Sequence, residues 1–303
     1  MFTDYFATKN QEVAADVICV SDFFVEDLKG GAELTTESIL KASPFSVYKF
    51  KPSSLPDLSQ QKEFVRVNKD KIWVIGNFSS MQPQALDELR RQGSRYSIIE
   101  YDYKYCAFRS PQLHVLQTGK QCDCHQQQIG RWMGEFFNGA KHVFFMSQAQ
   151  RAWYHARYPF LADKTSVQSS TWDPEQIDKL YEYRSVPKNG KMAILGSTSW
   201  LKATKQTIEY ASKVNTPFDV IGNMEYEPFI EKLAGYYGLY FMPIGFDTCP
   251  RIVVEATLMG LKTHTNDMVQ HTAEPWSQLP AEQLVEVLKK RPKAFWDKLN
   301  ACL

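Results

Sequence analysis

Residues 247–260 read DTCPRIVVEATLMG and are the most informative segment of the sequence. It follows a predicted strand at residues 239–243 and becomes helical at Pro250, because proline fits the first turn of a helix, where its missing N–H leaves no bond unmade. The helix is predicted to end near Gly260. A strand that leads through a short loop to a helix N-terminus presents free backbone N–H groups and the positive end of the helix dipole. The stretch is therefore typical of an anion site, best matched to phosphate.

Three charged side chains of this stretch are candidate ligands for a phosphate and the groups attached to it. Arg251 and Glu255 stand four residues apart, so they share one face of the helix. We expect Arg251 to pair with phosphate and Glu255 to accept two hydroxyl protons from a ribose. Asp247 projects from the loop toward whatever is attached to the phosphate. The alternative is an exposed Arg251–Glu255 ion pair on a surface helix, which would contribute little.

The stretch resembles the carboxylate–seven residues–carboxylate signature of retaining glycosyltransferases with the GT-B fold, those of the group 1 or family 4 type. In that family the signature lies on this strand, loop and helix of the C-terminal domain and binds the nucleotide-sugar donor. The resemblance implies that Asp247 contacts the donor sugar and that Glu255 holds the ribose. An aspartate stands at position 247 where glutamate is usual, which keeps the charge on a shorter side chain. The other donor-binding residues that the resemblance implies are Thr248, Cys249, Pro250 and Arg251.

Two glycine-containing segments agree with this resemblance. Gly30 and Gly31 follow the first predicted strand and open a helix, like the loop with which these enzymes approach the donor diphosphate from the N-terminal domain. A Gly-Gly pair is also an ordinary helix entry. Gly196 and Ser197 follow the first strand of the second half and precede Lys202, which matches the family's lysine for the diphosphate. The family's arginine is missing from this segment, and Arg251 is the candidate substitute. For Lys202, the alternative is a solvated lysine at the start of a helix.

Short β-branched or aromatic runs alternate with longer amphipathic segments along the whole chain, which indicates βαβ units and parallel sheets. Predicted strands lie at residues 16–20, 45–50, 72–75, 96–100, 143–146, 192–195, 218–221 and 239–243. Residues 168–190 lose the pattern and are predicted to connect two domains. We therefore expect an α/β protein of the GT-B type, with two Rossmann-like domains that face a central cleft.

The expected division has three parts. Residues 1–180 form the acceptor domain, and residues 181–280 form the nucleotide-sugar donor domain. Residues 281–303 are predicted as a helix with a break at Pro292. The resemblance implies that this last helix packs back on the N-terminal domain around Trp296.

Composition and absent motifs narrow the range of functions. The chain has 303 residues with 35 Lys and Arg against 34 Asp and Glu, a net charge of +1, which argues against a nucleic-acid coat protein. A hydrophobic content of 44% is too high for a disordered chain. There is no dinucleotide-binding glycine motif, P-loop, nucleophile elbow or zinc-protease motif. No Asp-x-Asp metal site of the other major nucleotide-sugar transferase fold is present.

Location in the cell is predicted from the same simple features. No apolar run approaches the eighteen or so residues that a transmembrane helix needs. Residues 1–5 do not begin a basic region followed by an apolar stretch, so no secretory leader is expected. These features predict a soluble, cytoplasmic protein without a transmembrane segment.

Four potential metal ligands fall within twenty residues: Cys106, Cys122, Cys124 and His125, with His114 between them. Thiolate and imidazole groups together can close a tetrahedral zinc site. The Cys-x-Cys-His spacing is not one of the strong zinc-finger patterns. The sequence leaves open a structural metal, a redox-sensitive pair of thiols and unligated cysteines.

Tyr101, Asp102 and Tyr103 follow the predicted strand at residues 96–100. An open α/β sheet places ligands at the carboxyl ends of its strands. Tyrosine faces and a carboxylate are suited to an acceptor sugar, by stacking and hydrogen bonding. The alternative is a tyrosine-rich, half-buried surface strand.

The leading hypothesis is a retaining glycosyltransferase of the hexosyl type. It moves a sugar from a nucleoside-diphosphate sugar to a hydroxyl acceptor, which is a glycan, a lipid or a small molecule. Asp247, Glu255 and Lys202 carry the chemistry, and the leaving diphosphate is stabilised by helix amides, Lys202 and Arg251. The resemblance implies front-face attack, in which a donor phosphate oxygen takes the acceptor proton, and it implies no metal or other cofactor.

Two alternatives belong to other classes of protein. The first is a non-catalytic protein that holds a nucleotide or glycan in a GT-B-like cleft. The second is a transferase that glycosylates modified bases in DNA. The second needs a basic groove, which a net charge of +1 does not indicate, so no nucleic-acid partner is expected. The sequence does not indicate an oligomeric state.

Overall fold

The computed structural model of the chain describes residues 12–303, which form two parallel β-sheets flanked by helices. The first sheet has six strands, which are Val17–Val20 (β1), Val47–Phe50 (β2), Ile72–Ile75 (β3), Arg95–Glu100 (β4), His142–Phe145 (β5) and Thr165–Val167 (β6). The second sheet has four strands, which are Met192–Gly196 (β7), Phe218–Gly222 (β8), Gly238–Phe241 (β9) and Lys262–Thr265 (β10). The strand orders are β2-β1-β3-β4-β5-β6 and β10-β9-β7-β8.

Helices connect most of these strands, as parallel pairing requires. They are Gly31–Lys41 (α1), Leu58–Val67 (α2), Pro83–Arg91 (α3), Pro111–Thr118 (α4), Gln128–Gly139 (α5), Gln148–Arg157 (α6), Pro174–Glu182 (α7), Thr204–Lys213 (α8), Tyr226–Ala234 (α9), Arg251–Leu258 (α10) and Ala281–Asn300 (α11).

Burial explains why the central strands are continuous apolar runs rather than alternating ones. All four residues of β1 and of β3 are buried, because helices cover both faces of the first sheet. The second sheet has its own core, in which Ile221 and Leu239 pack against α9, α10 and α11. Each sheet therefore supports a hydrophobic core of its own.

The order of the strands fixes where a ligand can bind. Strand β1 lies between β2 and β3, and β7 lies between β8 and β9. In the first sheet the chain therefore leaves to opposite sides after β1 and after β3, and in the second sheet it does so after β7 and after β9. A crevice opens at the carboxyl ends of each of these pairs of strands. The two crevices share one cavity, which is lined by residues of both halves. The predicted fold class, with two α/β halves and a central cleft, is confirmed.

Helix α11 follows the second sheet in sequence but also packs on the first. The side chain of Trp296 is 1% exposed, and its Nε1 donates to the Ile39 carbonyl of α1 at 2.7 Å. Phe295 packs on Phe144 of β5 with ring centroids 4.5 Å apart. The final helix thus joins the two halves, while the domain boundaries after residues 180 and 280 stay predictions.

Two sequence-based predictions about the helices are wrong. Helix α11 runs unbroken through Pro292, which is itself buried. Burial of its long apolar face outweighs the cost of about 3 kcal/mol that an internal proline imposes. Residues 168–190, predicted as a connection only, contain α7, whose Ile177 and Leu180 are buried in the second core.

Among residues 12–303, no helix combines the length and the apolar character that a membrane crossing requires. Residues 1–5, which carry the prediction about a secretory leader, lie outside the described residues.

Candidate active site

The cavity between the two sheets has a volume of about 530 Å³ and receives the N-termini of three helices. These helices are α1, which begins at Gly31, α9, which begins at Tyr226, and α10, which begins at Arg251. Free N–H groups and helix dipoles at one place favour an anionic ligand. Both halves line the cavity, the first through residues such as Gly31, Tyr101 and Ser170, and the second through Gly196, Lys202, Asp247 and Glu255.

Glu255 is held by three hydrogen bonds to one of its carboxylate oxygens. Its Oε1 accepts from Trp172 Nε1 at 2.9 Å, from the Tyr226 hydroxyl at 2.8 Å and from Arg251 Nε at 3.2 Å. Burial, together with the charge of Glu255, raises the pKa of Tyr226, so this hydroxyl stays protonated and donates. Oε2 accepts no hydrogen bond from the part of the chain that the structure describes. Glu255 therefore retains an oxygen for the hydroxyl groups of a ligand.

The alternative of an exposed Arg251–Glu255 ion pair is wrong, because Arg251 is 4% exposed and Glu255 is 2% exposed. The Arg251 guanidinium also donates to Gln176 Oε1 at 3.1 Å and to the Thr171 carbonyl, and it lies 4.5 Å from the centre of a Trp172 ring. These contacts fix the position of Glu255. Direct pairing of Arg251 with phosphate stays a prediction.

Lys202 and Asp247 form an ion pair beyond the carboxyl ends of β7 and β9 in the second sheet. Lys202 Nζ lies 2.5 Å from Asp247 Oδ2, and the lysine side chain is 27% exposed. Lys202 ends a short 3-10 turn after β7, and the Asp247 backbone N–H donates to the Met268 carbonyl at 2.9 Å. The residues predicted to hold diphosphate and sugar are therefore adjacent.

Of the two predicted glycine segments, Gly31, Gly196 and Ser197 line the cavity, and their role in holding a diphosphate stays a prediction. A Cβ added at Gly31 would meet Arg251 Cδ at 3.9 Å, which is an ordinary van der Waals contact. Gly30 is the N-cap of the same helix and is not among the cavity-lining residues. Gly196 and Ser197 line the cavity at the end of β7.

The loop before α10 is attached to the first half of the chain. Thr248 Oγ1 donates to the Tyr101 carbonyl at 3.1 Å, and the Cys249 carbonyl accepts from Ser170 Oγ at 2.7 Å. Burial raises the pKa of the Cys249 thiol to about 11, which leaves it a poor nucleophile. Thr248, Cys249 and Pro250 all line the cavity.

Only one of the two predicted acceptor tyrosines faces the cavity. Tyr101 lines it, and the Tyr101 and Thr36 hydroxyl oxygens lie 2.7 Å apart. Tyr103 is 1% exposed, stacks on Tyr154 and accepts from Gln270 Nε2 at 2.7 Å. The predicted stacking of an acceptor on Tyr103 is therefore wrong, because its ring is buried in the hydrophobic core of the first half.

The Asp102 carboxylate forms ion pairs with two cations of its own loop. Its Oδ2 lies 2.5 Å from Arg109 Nη2 and its Oδ1 lies 3.5 Å from Lys104 Nζ. Burial opposes ionisation, but the Lys104 and Arg109 charges outweigh it and hold the pKa of Asp102 below its usual value. Asp102 is not among the cavity-lining residues, so its acceptor role stays a prediction without support from its position.

The cysteine cluster exists, but with a different histidine. The ligand atoms of Cys106, Cys122, Cys124 and His114 all lie within 4.8 Å of one another. The sequence-based choice of His125 is corrected. His125 lies in the 3-10 turn Cys124–Gln126, which directs its ring toward Tyr105, with ring centroids 6.4 Å apart.

Two residues of the site, Trp172 and Tyr226, are absent from the sequence-based predictions. Trp172 lies in the segment predicted as a connection, and Tyr226 begins α9 with no motif around it. Both donate to Glu255 only because the fold brings residues 172, 226 and 255 together. Nothing in their local sequence signals this role.

No protein-family model matches the chain, and no curated protein matches it. Solved structures match over nearly its whole length. An alpha,alpha-trehalose-phosphate synthase (UDP-forming) from Burkholderia xenovorans, in complex with glucose-6-phosphate, matches with a TM-score of 0.56 at 9% identity, over 94% of this chain and 96% of that one. A trehalose-6-phosphate synthase matches with a TM-score of 0.54 at 9% identity, over 95% of this chain and 96% of that one.

An alpha-glucosyltransferase in complex with UDP and a 13-mer DNA containing a HMU base also matches. Its TM-score is 0.50 at 10% identity, over 94% of this chain and 92% of that one. These matches agree with the two facing sheets and the shared cavity. The chain has the GT-B fold. Within a GT-B fold, the residues around Glu255 and Lys202 lie in the cleft between the two α/β halves.

Proposed function

We propose that the protein is a retaining glycosyltransferase that moves a sugar from a nucleoside-diphosphate sugar to a hydroxyl acceptor. One observation carries this proposal. A single cavity between the two halves combines the N-termini of α1, α9 and α10, the ammonium group of Lys202 and the carboxylate of Glu255. This set matches the diphosphate and the ribose of one ligand.

The donor fits the cavity in one direction. Its diphosphate lies between the start of α1 at Gly31 and the loop of Ser197 and Lys202. Its ribose hydroxyls donate to Glu255, whose Oε1 is already held by neighbouring donors. The base then points to the loop after β8, residues 222–225, which lines the same cavity. The sugar lies on the side of Asp247.

The chemistry follows from where charge develops. As the bond between the sugar carbon and the phosphate oxygen breaks, negative charge grows on the leaving diphosphate, and Lys202 and the helix amides stabilise it. The acceptor oxygen forms its new bond to the same face of the sugar carbon, and its proton passes to a phosphate oxygen. The positive charge of Lys202 and the helix dipoles stabilise the leaving group, so we propose that no metal cofactor is needed.

The matching structures support the donor class and widen the acceptor test. One of them is a UDP-forming enzyme, and another is in complex with UDP. Uridine diphosphate sugars are therefore the first donors to test. One of these structures holds DNA, so DNA with a modified base belongs in the acceptor panel beside glycans, lipids and small sugars.

A thermal-shift screen of nucleoside diphosphates and their sugars tests donor binding directly. A ligand present at a hundred times its dissociation constant should add about 2.7 kcal/mol to the free energy of unfolding. Release of nucleoside diphosphate from the bound donor, measured with and without each acceptor, then tests transfer. Anomeric analysis of the product by NMR tests retention, and an inverted product would contradict it.

A non-catalytic binding protein is the second candidate. It is favoured by the commitment of the Arg251 guanidinium to protein acceptors, which leaves Lys202 as the more exposed of the two cations predicted for the diphosphate. This candidate predicts a thermal shift with donor and no release of nucleoside diphosphate with any acceptor of the panel.

A further inference from the structure

A cluster of four potential metal ligands lies outside the cavity, in the region after β4, and consists of Cys106, His114, Cys122 and Cys124. Cys106 and Cys122 are 1% and 8% exposed, and all four potential ligand atoms lie within 4.8 Å of one another. From this cluster we infer that the protein binds one structural zinc ion through three thiolates and one imidazole. This inference does not depend on the proposed transferase function.

Two nitrogen–sulfur distances within the cluster are close to those of a tetrahedral site. Zinc bonds of about 2.3 Å to sulfur and 2.0–2.1 Å to nitrogen place ligand atoms about 3.5–3.8 Å apart at the corners of a tetrahedron. His114 Nδ1 lies 3.2 Å from Cys124 Sγ and 3.9 Å from Cys106 Sγ. These two distances bracket the tetrahedral value. No two of the four ligand atoms are more than 4.8 Å apart, so movements of about 1 Å bring all of them to bonding distance.

Short structural elements on two sides of the cluster position its ligands. Ser110 caps α4 by accepting from the Leu113 N–H, and this fixes the helix turn that carries His114. On the other side, the 3-10 turn Cys124–Gln126 carries Cys124, whose Sγ lies 3.2 Å from His114 Nδ1.

A disulfide explains the cluster less well than zinc does. All three cysteines are unpaired, and any one disulfide would leave the third thiol without a role. A disulfide also gives no role to the His114 ring nitrogen that points at two sulfur atoms. Three thiolates and one imidazole, by contrast, fill all four positions of a closed structural zinc site.

The position of the site suggests what it stabilises. The ligands join the loop at residues 106–114 to the turn at residues 122–124, and the same region contains Gln112. Its Oε1 accepts from the Phe246 N–H at 3.3 Å, one residue before Asp247. Zinc would therefore hold the part of the first half that touches the loop of the second half. Binding releases protons from the three thiols, and its free energy adds to the stability of this region.

Metal analysis of the full chain, produced with zinc in the medium and purified without chelator, tests the inference. We expect about one zinc per chain, released by a mercurial reagent that blocks thiols. After exchange with cobalt, the absorption spectrum should show a thiolate-to-cobalt charge-transfer band and the intense visible bands of tetrahedral cobalt. Less than a tenth of an equivalent of zinc, together with no such bands, would overturn the inference. So would iron in place of zinc, or a disulfide found by mass spectrometry of the unreduced protein.

Matched variants distinguish the ligands from their neighbours. His114→Ala and Cys122→Ser should lose zinc to a competing chelator at concentrations at which the parent keeps it, and their melting temperatures should fall. His125→Ala and Cys302→Ser change the same residue types outside the cluster and should keep zinc as the parent does. Equal zinc retention by His114→Ala and His125→Ala would overturn the assignment of the histidine. If the ligand variants do not fold, the cobalt spectrum of the parent still decides.

Discussion

Lys202 Nζ lies 2.5 Å from Asp247 Oδ2, so the side chain expected to hold the donor diphosphate is paired with the one expected to hold the donor sugar. The pair joins the loop after β7 to the loop before α10, which flank the switch point of the second sheet. A diphosphate that approaches Lys202 must compete with the Asp247 carboxylate for the ammonium group of the lysine. Each residue should therefore affect the binding that is expected of the other. Substitutions of either one should separate phosphate binding from sugar binding.

The first prediction concerns Asp247→Asn. Loss of one charge-assisted hydrogen bond to a sugar hydroxyl should weaken the intact donor by about ten- to a hundredfold. Free nucleoside diphosphate should bind at least as tightly as to the parent, because Lys202 loses its competing carboxylate. Calorimetric titration of both ligands measures the difference. Equal weakening of both ligands would contradict a contact between Asp247 and the sugar.

The exposed pair of Lys191 and Asp219 is the matched control. Lys191 Nζ lies 3.1 Å from Asp219 Oδ1, and neither residue lines the cavity. Asp219→Asn makes the same chemical change, removing the carboxylate from an ion pair with lysine. It should leave the affinity of both ligands unchanged.

The second prediction is that Lys202→Ala depresses turnover more than donor affinity. Its charge matters most when the diphosphate leaves, so we expect a loss of roughly a hundredfold in kcat with a smaller change in the donor dissociation constant. Steady-state kinetics together with calorimetry measure the two separately. Lys191→Ala is the control and should change neither. A loss of donor affinity with an unchanged kcat would assign Lys202 to binding alone.

The third prediction concerns the attachment of the last helix. Trp296→Ala should lower the free energy of unfolding by about 3–5 kcal/mol, because it empties a fully buried site between α11 and α1. Trp296→Phe keeps most of the packing but loses the hydrogen bond to the Ile39 carbonyl, at a cost nearer 1–3 kcal/mol. Denaturant unfolding followed by circular dichroism measures both. A small effect of the alanine variant would show that this contact does not hold the helix.

The sequence predicted those strands and helices that a short segment signals by itself. The strands that contain Ile18, Trp73 and Ile194 are buried apolar runs, and the helix that starts after Pro250 carries its own start signal. The fold class follows from their alternation. Strand β10 was not predicted, because Lys262–Thr265 has a polar pattern and becomes a strand only by pairing with β9.

The candidate site was predictable where one segment contains several ligands, as in residues 247–255. It was not predictable where distant segments meet. Trp172 and Tyr226 are 83 and 29 residues from Glu255 in sequence, and only the packing of α7, α9 and α10 brings them to its carboxylate. The choice between His114 and His125 failed for the same reason, because spacing along the chain does not specify which way a ring points.

The fourth prediction is a pH dependence of stability at His271. Burial, with a contribution from the nearby Arg291 charge, lowers the pKa of His271 to about 3, against about 6.5 in the unfolded chain. Below pH 6.5 the unfolded state binds a proton that the folded state refuses, so stability is present above this pH and is lost as pH falls. Between pH 7 and pH 5 this group should remove roughly 2 kcal/mol from the free energy of unfolding.

His271→Phe tests this contribution, since phenylalanine keeps the stacking on Trp276 and cannot titrate. Denaturant unfolding at pH 7 and at pH 5 should show a smaller loss for the variant than for the parent, by roughly 2 kcal/mol. Other groups titrate in both proteins, so only the difference between the two is diagnostic. Identical losses would mean that His271 takes up its proton in the folded state as readily as in the unfolded one.

The last prediction tests the carboxylate on which the proposed function rests most. Glu255→Gln keeps the size of the side chain but removes the charge that binds the ribose hydroxyls and compensates Arg251. Donor affinity should fall by about ten- to a hundredfold, which corresponds to roughly 1.5–3 kcal/mol. Stability should fall as well, by about 3–5 kcal/mol, because Arg251 is left as a buried charge without its partner.

Binding must therefore be measured below the unfolding transition of the variant, with circular dichroism to show that it is folded. Glu88→Gln is the matched control, because Glu88 is also buried and pairs with Arg66 at 2.9 Å, and it does not line the cavity. It should bind donor like the parent. If folded Glu255→Gln also binds and turns over donor like the parent, the buried pair with Arg251 serves the fold alone, and the ribose must be held elsewhere in the cavity.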